Sequence, residues 1–318
     1  LFSEYEIDEF VGNLEENEKN NTMITEWNEY QENKDQSLKW AEKLHKEYDN
    51  DSGKFRIAWA YDVGECGYEL DKKKACNIYE NLAQNGNKVC MYNAGNLYNT
   101  GGNNIEKNVQ KAFEWFDQSA QQNNVDAQHN LAFAYSSGKG VKLNYEKALY
   151  WYKISAELGN TSSAHNLGTM YFDGEGIDQD YEEAFKWFMI AAHQGSDIYS
   201  FHSLGYLYEY GLGIEKDINQ SKYWYTKAAD KGHAPSQNNL GFLFYEGTGI
   251  KQDYKIAFKW FKLACIQNYI DGCNNLASMY YYGEGVEKDF MESYRLYKIG
   301  AEQGNAASQY YLAEAYYY

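Results

Sequence analysis

The feature that most constrains this chain is a short pattern that recurs along it at a nearly constant spacing. A Gly-x-Gly element appears five times, and successive copies begin 36 or 37 residues apart. The five copies are Gly138–Gly140, Gly174–Gly176, Gly211–Gly213, Gly247–Gly249 and Gly283–Gly285. A period in this range is typical of repeat proteins, in which each copy forms the same small unit and stacks on its neighbours. The sequence therefore predicts a row of repeats.

Two further residue types recur in register with the glycines, again in steps of 36 or 37 residues. The leucines that precede the glycines are Leu131, Leu167, Leu204, Leu240, Leu276 and Leu312. The Asp or Asn residues of the second series are Asp71, Asn108, Asn144, Asp180, Asp217, Asp253 and Asp289. Because three series keep the same register, we expect every copy to have the same internal structure.

The spacing within one copy predicts a pair of helices. Leu167 and Tyr171 are four residues apart and share one face of a helix. The glycines that begin at Gly174 end this helix, since glycine adopts positive φ at little cost. Asp180 is placed to cap a second helix, with Glu183 completing a capping box. Glycine beside the leucine predicts a close approach of a neighbouring helix.

These positions combine into A-x-x-x-L-G-x-x-Y-x-x-G-x-G-[IV]-x-x-D-x-x-x-A-x-x-W-[FY]-x-x-A-A-x-x-G, which resembles the Sel-1-like repeat, a relative of the tetratricopeptide repeat. The resemblance implies an all-α fold, a right-handed αα-superhelix (solenoid) of about seven helix-turn-helix repeats over residues 38–318, with half repeats at both ends. Complete repeats are expected near residues 54–86, 88–122, 124–159, 161–195, 197–232, 234–268 and 270–304. Residues 1–37 form a separate acidic N-terminal segment, interpreted as a cap or an interaction arm.

The charge of the chain limits its partners. The formal net charge is −17, and residues 1–35 carry eleven Asp or Glu against two Lys. An acidic surface repels phosphates, so we expect no nucleic-acid partner. No segment approaches about 18 uninterrupted apolar residues, so we expect no direct membrane insertion. The cytoplasm is favoured as the location, and a lumenal or secreted location stays open.

The sequence predicts no catalytic, cofactor-binding or metal-binding residues. The Gly-x-Gly elements lie between two helices and lack the strand and the Lys-Ser/Thr of a phosphate-binding loop. His129, His165 and His202 occupy one repeat position, on helices that we expect another helix to separate. Packed helices lie about 8–10 Å apart, too far for shared zinc ligands, so these histidines are interpreted as a polar ladder. No Ser-His-Asp set can be assembled from the spacing.

In the tetratricopeptide relatives, the first helix of each repeat lines a concave binding surface, and by analogy we expect the same surface here. Aromatic, amide and imidazole side chains on such a surface suit an extended peptide. The predicted surface consists of Asn93, Asn96, His129, Phe133, His165, Asn166, Thr169, His202, Tyr206, Asn239, Phe242, Asn275 and Ser278. An equally weighted alternative is that the Asn residues bridge adjacent repeats and contact no ligand.

Cys265 and Cys273 are the one cysteine pair with an informative spacing. They lie at the end of a second helix and the start of the next first helix, where the turn brings them within disulfide reach. Such a pair also resembles the secreted, cysteine-rich bacterial branch of the family. The alternative, two reduced core residues, stays open.

The sequence thus predicts a non-enzymatic protein–protein interaction scaffold or adaptor that binds other proteins, either folded partners or an extended peptide. One alternative is a structural subunit of a large assembly. A further alternative is a hydrolase of the kind suggested for the cysteine-rich branch, which requires a nucleophile and a base within about 3 Å of each other.

Overall fold

The computed structural model describes residues 39, 42–43, 50–65, 68–195 and 197–315. This part of the chain folds into fifteen α-helices and contains no strand. The predicted N-terminal segment of residues 1–37 lies outside the described residues, as does most of the half repeat expected around residues 38–50. The predicted all-α fold of paired helices is confirmed for this part of the chain.

Odd-numbered helices are the first helices of the repeats, and even-numbered helices are the second. The first helices are α1 (Asp51–Val63), α3 (Lys88–Thr100), α5 (Val125–Ser137), α7 (Thr161–Asp173), α9 (Ile198–Tyr210), α11 (Ala234–Glu246), α13 (Ile270–Tyr282) and α15 (Ala306–Ala315). The second helices are α2 (Lys72–Gln84), α4 (Val109–Gln121), α6 (Tyr145–Glu157), α8 (Tyr181–Gly195), α10 (Ile218–Asp230), α12 (Tyr254–Ile266) and α14 (Phe290–Glu302).

The helices form two compact units that divide within α6, between Trp151 and Tyr152. The first unit contains α1 to α5, and the second contains α7 to α15. In each unit, a helix packs mainly against the helix before it and the helix after it. No helix of the described residues has the length and hydrophobicity needed to cross a bilayer.

The two glycines of a Gly-x-Gly element have different roles. Gly211 ends α9 in the left-handed conformation, with φ +70°, and its N–H donates to the carbonyl of Leu207. Gly213 also has positive φ, and a Cβ atom added to it would lie 2.5 Å from the backbone nitrogen of Glu182 in the preceding repeat. In this element the first glycine therefore ends the helix, and the second allows two repeats to come into backbone contact.

The Asp or Asn before each second helix caps that helix, as predicted. The carboxylate of Asp180 accepts from the N–H of Glu183 at 3.0 Å. The predicted capping box is wrong in its second half, because the N–H of Asp180 that Glu183 would accept from is bonded elsewhere and the Glu183 carboxylate accepts from Lys186. The N–H of Asp180 donates to the carbonyl of Tyr171 in the first helix of the same repeat, at 2.9 Å. The corresponding bond to the first helix recurs at Asp71, Asn108, Asn144, Asp217, Asp253 and Asp289.

Where a glycine follows the recurring leucine, at Gly168, Gly205 and Gly241, it contacts an aromatic ring. A Cβ atom on Gly205 would lie 2.5 Å from the ring of Tyr225, and one on Gly168 would lie 2.7 Å from the ring of Phe188. Both rings belong to the second helix of the same repeat and are almost fully buried. The close approach predicted for these glycines is thus made to the partner helix of the same hairpin.

Candidate interaction surface

The predicted surface residues all lie on first helices, and most of them are half-buried. Phe133 and Phe242 are the more exposed members, each at 44%. The remaining members are Asn93, Asn96, His129, His165, Asn166, Thr169, His202, Tyr206, Asn239, Asn275 and Ser278, all of intermediate exposure. Their burial follows from contacts between neighbouring first helices, which differ in the two units.

In the first unit, two amides join neighbouring first helices. Asn130 of α5 donates to the Oδ1 of Asn96 on α3 at 3.2 Å. On the same helix as Asn130, burial lowers the pKa of His129. Phe133 lies one turn further along α5, and the ammonium of Lys139 is 4.8 Å from its ring centroid. The exposed ring of Phe133 therefore already has a cation beside it.

In the second unit, histidines join neighbouring first helices. The Nδ1 of His165 on α7 lies 2.9 Å from the hydroxyl of Ser200 on α9. The Nδ1 of His202 on α9 lies 2.9 Å from the hydroxyl of Ser236 on α11, which also contacts His233 at 2.8 Å. The expectation that another helix separates equivalent first helices is wrong, because short side chains bridge them directly.

One histidine lies beside both a serine and an aspartate, a combination that the sequence did not indicate. Asp197 Oδ2 is 3.3 Å from the Nδ1 of His165, the same ring nitrogen that contacts Ser200. A catalytic triad needs the acid and the serine on opposite ring nitrogens. Ser200 is also fully buried. Asp197 caps α9 by accepting from the N–H of Ser200, so this group has a structural role.

The amides of the second unit are also engaged across helices. Asn275 donates to the Oδ1 of Asn238 in the neighbouring first helix at 2.8 Å. Asn239 donates to the hydroxyl of Tyr225 at 3.2 Å, in the preceding second helix. The equivalent bond joins Asn166 and Tyr152. These contacts correspond to the alternative in which the Asn residues bridge adjacent elements of the repeats.

Exposed aromatic rings lie on the same helices, at positions that the sequence reasoning missed. Tyr199 is 62% exposed, Tyr210 is 56% exposed and Tyr282 is 58% exposed. Tyr210 lies one helical turn beyond Tyr206, and the two ring centroids are 4.6 Å apart. Extending the predicted helix face by one turn from Tyr206 would have identified Tyr210.

A half-buried carboxylate lies among these rings. Glu209 Oε2 accepts from the hydroxyl of Tyr225 at 2.9 Å. Burial raises the pKa of Glu209, and hydrogen bonds from Tyr225 and Tyr210, together with the charge of Lys216, oppose that rise. Among the residues that the structure describes, no Lys, Arg or His nitrogen forms an ion pair with this carboxylate.

Four of the cysteines lie within the described residues. Cys265 and Cys273 form a disulfide between the end of α12 and the start of α13, with their Cα atoms 4.5 Å apart. Oxidation of this pair in the protein's own compartment stays a prediction. Cys76 and Cys90 are buried free thiols, and burial raises the pKa of Cys90 to about 12. Within the described ranges, no group of three or more His, Cys, Asp and Glu is arranged to hold a metal ion.

Helical hairpins that stack in sequence order, joined by polar side chains between first helices, define an α-helical repeat protein of the tetratricopeptide-like class. The Sel1 repeat matches the chain seven times, and the chain belongs to the Sel1 repeat family. The matches cover residues 52–87, 88–124, 125–160, 161–196, 202–233, 234–269 and 270–305. No curated protein matches the chain.

Solved structures with the same fold include bacterial and other repeat proteins. One is c5321, a protective antigen of uropathogenic Escherichia coli, which is 30% identical with a TM-score of 0.80 over 88% of this chain. The match covers 59% of c5321, less than two thirds of its length. A Sel1 repeat protein from Oxalobacter formigenes is 25% identical over 83% of this chain and 76% of its own, with a TM-score of 0.70. The Cut9–Hcn1 complex shares the fold alone, at 16% identity and a TM-score of 0.52, over 87% of this chain and 52% of that chain.

Proposed function

We propose that this protein is a non-enzymatic interaction scaffold that binds a partner protein on the first helices of its second unit. The observation that carries the proposal is the row of exposed aromatic rings on these helices. Tyr199, Tyr210, Phe242 and Tyr282 come from α9, α11 and α13. Exposed aromatic rings are enriched where proteins bind one another, because they bury a large area at low cost in side-chain entropy.

The arrangement of the polar groups favours an extended segment as the partner. Asn275, Asn238 and His202 are engaged in bridges between helices, which fixes the spacing of the first helices. A fixed surface is preorganised and loses little conformational entropy on binding. Each of the successive first helices α9, α11 and α13 contributes at least one exposed ring, so a partner chain running across these helices meets one aromatic contact after another.

Two alternatives predict different contacts. A structural subunit of a large assembly would contact folded neighbours through several faces, including the second helices. A hydrolase would need an accessible nucleophile beside a base, whereas Ser200 and Ser236, the serines in contact with histidine, are fully buried. The scaffold is the alternative that uses the exposed rings.

Photo-cross-linking at two tyrosines of one repeat tests the proposal. A photoreactive phenylalanine analogue is introduced at Tyr210 on α9 or, as the matched control, at Tyr223 on α10. The two side chains are similarly exposed, at 56% and 48%. In the cells that produce the protein, we expect position 210 to yield a partner adduct and position 223 to yield little.

The position of the adduct in the partner distinguishes the alternatives. Mass spectrometry should place the cross-links from position 210 within one short stretch of the partner sequence. Equal adducts from both positions, or cross-links to distant segments of a folded partner, would contradict the proposal and favour a structural subunit.

A further inference from the structure

The charges of the second unit are separated between its two kinds of helix. Its first helices, α7, α9, α11, α13 and α15, carry five Asp or Glu residues and no Lys or Arg. Its second helices, α8, α10, α12 and α14, carry eight Lys or Arg and five Asp or Glu. The surface formed by the first helices, called the first-helix surface below, is therefore purely acidic in its side-chain charges.

The exposed rings of this surface also lack a cation. On the second helix α10, the ammonium of Lys227 lies 5.0 Å from the ring centroid of Tyr223 and 5.8 Å from that of Trp224. Within the described residues, no Lys or Arg lies over the rings of Tyr199, Tyr210 or Phe242. Aromatic faces attract cations, and this attraction strengthens when the pair is removed from water.

Glu209 adds a carboxylate to the same area. Its hydrogen-bond partners are tyrosine hydroxyls, and the ammonium of Lys216 acts on it only at longer range, without a direct ion pair among the described residues. Tyr206 and Tyr210 form a ring pair beside it. A carboxylate next to aromatic faces is the combination that binds an ammonium or guanidinium group through ion pairing and cation–π contact together.

From this charge complementarity we propose that the first-helix surface binds an extended, lysine- or arginine-bearing segment of a partner protein. The inference rests on the proposed function and assigns the chemistry of its partner. Like charge disfavours two other occupants. Residues 1–35 of this chain carry eleven acidic against two basic residues, and a second copy of the chain carries the same net charge of −17.

Fluorescence anisotropy with labelled synthetic peptides tests the inference on the full chain. Three short peptides share the same apolar residues and differ only at the remaining positions, which are lysine, serine or glutamate. We expect the lysine peptide to bind, the serine peptide to bind more weakly and the glutamate peptide not to bind. Binding of the lysine peptide should weaken as the salt concentration rises.

Two substitutions of equal charge locate the site. Glu246→Lys reverses an exposed charge at the end of α11, and Asp230→Lys makes the same change at the end of α10. We expect Glu246→Lys to lower the affinity for the lysine peptide at least about threefold. Asp230→Lys should change that affinity less than about twofold. Glu209→Gln keeps a hydrogen-bond acceptor for Tyr225 but removes the charge, and should weaken binding about tenfold.

The outcomes separate this inference from the function on which it rests. Equal weakening by Glu246→Lys and Asp230→Lys would overturn the inference, since it would reveal a general effect of net charge. If the serine and lysine peptides bind equally well and Phe242→Ala abolishes this binding, the inference of a cationic partner is overturned. The proposed peptide-binding scaffold would then remain supported. If no peptide binds, both proposals are contradicted. Preferred binding of the glutamate peptide would assign an acidic partner instead.

Discussion

Replacement of Gly213 by alanine tests whether the second glycine of a Gly-x-Gly element sets the distance between two repeats. A left-handed conformation costs alanine about 1–2 kcal/mol. The added methyl group would also lie 2.5 Å from the backbone nitrogen of Glu182. Overpacking of this kind typically costs about 1–3 kcal/mol, and backbone atoms cannot rotate away. We therefore expect Gly213→Ala to lower the free energy of unfolding by about 2–5 kcal/mol.

Gly232 provides the matched control for this substitution. It also has positive φ, at +88°, but a Cβ atom added to it would have no neighbour within 4 Å. Gly232→Ala should therefore cost only the conformational part, about 1–2 kcal/mol. The difference between the two variants measures the contact between repeats without the contribution of φ.

Urea denaturation followed by far-ultraviolet circular dichroism measures both variants. Arrays of repeats unfold in more than one step when their coupling weakens, so a second transition in Gly213→Ala would also indicate a damaged contact between repeats. Equal losses of stability in Gly213→Ala and Gly232→Ala would refute the assignment of the second glycine to close packing of repeats.

Three further predictions concern the bridges and the disulfide. Burial and the nearby His233 lower the pKa of His202 to about 4, below its ordinary 6.5, so protonation favours the unfolded chain. The stabilising contribution of neutral His202 is complete above about pH 6.5 and falls as the pH drops towards 4. Urea denaturation should therefore show that the free energy of unfolding is about 2–3 kcal/mol lower at about pH 4.5 than above about pH 6.5. His202→Gln should reduce this loss, and an unchanged loss in the variant would contradict the prediction. Asn275→Ala removes the hydrogen-bond donor to the Oδ1 of the buried Asn238 and should cost about 1–2 kcal/mol in the same assay, whereas a neutral result would mean that the bridge adds nothing. Cys273→Ala should cost about 2–3 kcal/mol under oxidising conditions and make stability insensitive to dithiothreitol; a wild-type protein that is equally insensitive would count against the disulfide.

The hairpin was predictable from the sequence because its determinants are local. Gly211 ends a helix through its own φ angle, and Asp217 caps the next helix through backbone atoms two and three residues away. These roles depend on neighbouring residues in the sequence and not on contacts with distant parts of the chain. The spacing of 36 or 37 residues then identifies all the remaining copies.

The partners of the surface residues were not predictable, because they depend on contacts between repeats. The sequence places His165 and Asn239 on one side of their helices, but it does not indicate that Ser200 and Tyr225 lie within hydrogen-bond reach. The same limit applies to the contact between neighbouring first helices, which was wrongly expected to be blocked by another helix. The position of a residue in the repeat identifies the helix face on which it lies. Only the distance between packed helices shows which side chains on that face are already hydrogen-bonded.

The separation of charge was present in the sequence but visible only after the helices had been assigned. Glu246 and Lys255 are close in the chain, yet they belong to a first and a second helix. Averaged over a window of residues, their charges cancel. Sorted by helix, they describe two surfaces of different character.

The bond between the N–H of Asp180 and the carbonyl of Tyr171 has a consequence for how such a chain changes length in evolution. Both groups belong to the same copy, so duplication or deletion of one whole copy leaves every remaining cap with its own carbonyl. A loop that is one residue longer also keeps the bond, because Asp71 bonds Tyr61 and Asn108 bonds Tyr98 across an interval one residue longer than that between Tyr171 and Asp180. Descendants of such a gene can therefore differ by whole copies, and by one residue within this loop, and still keep every cap joined to the first helix of its own copy.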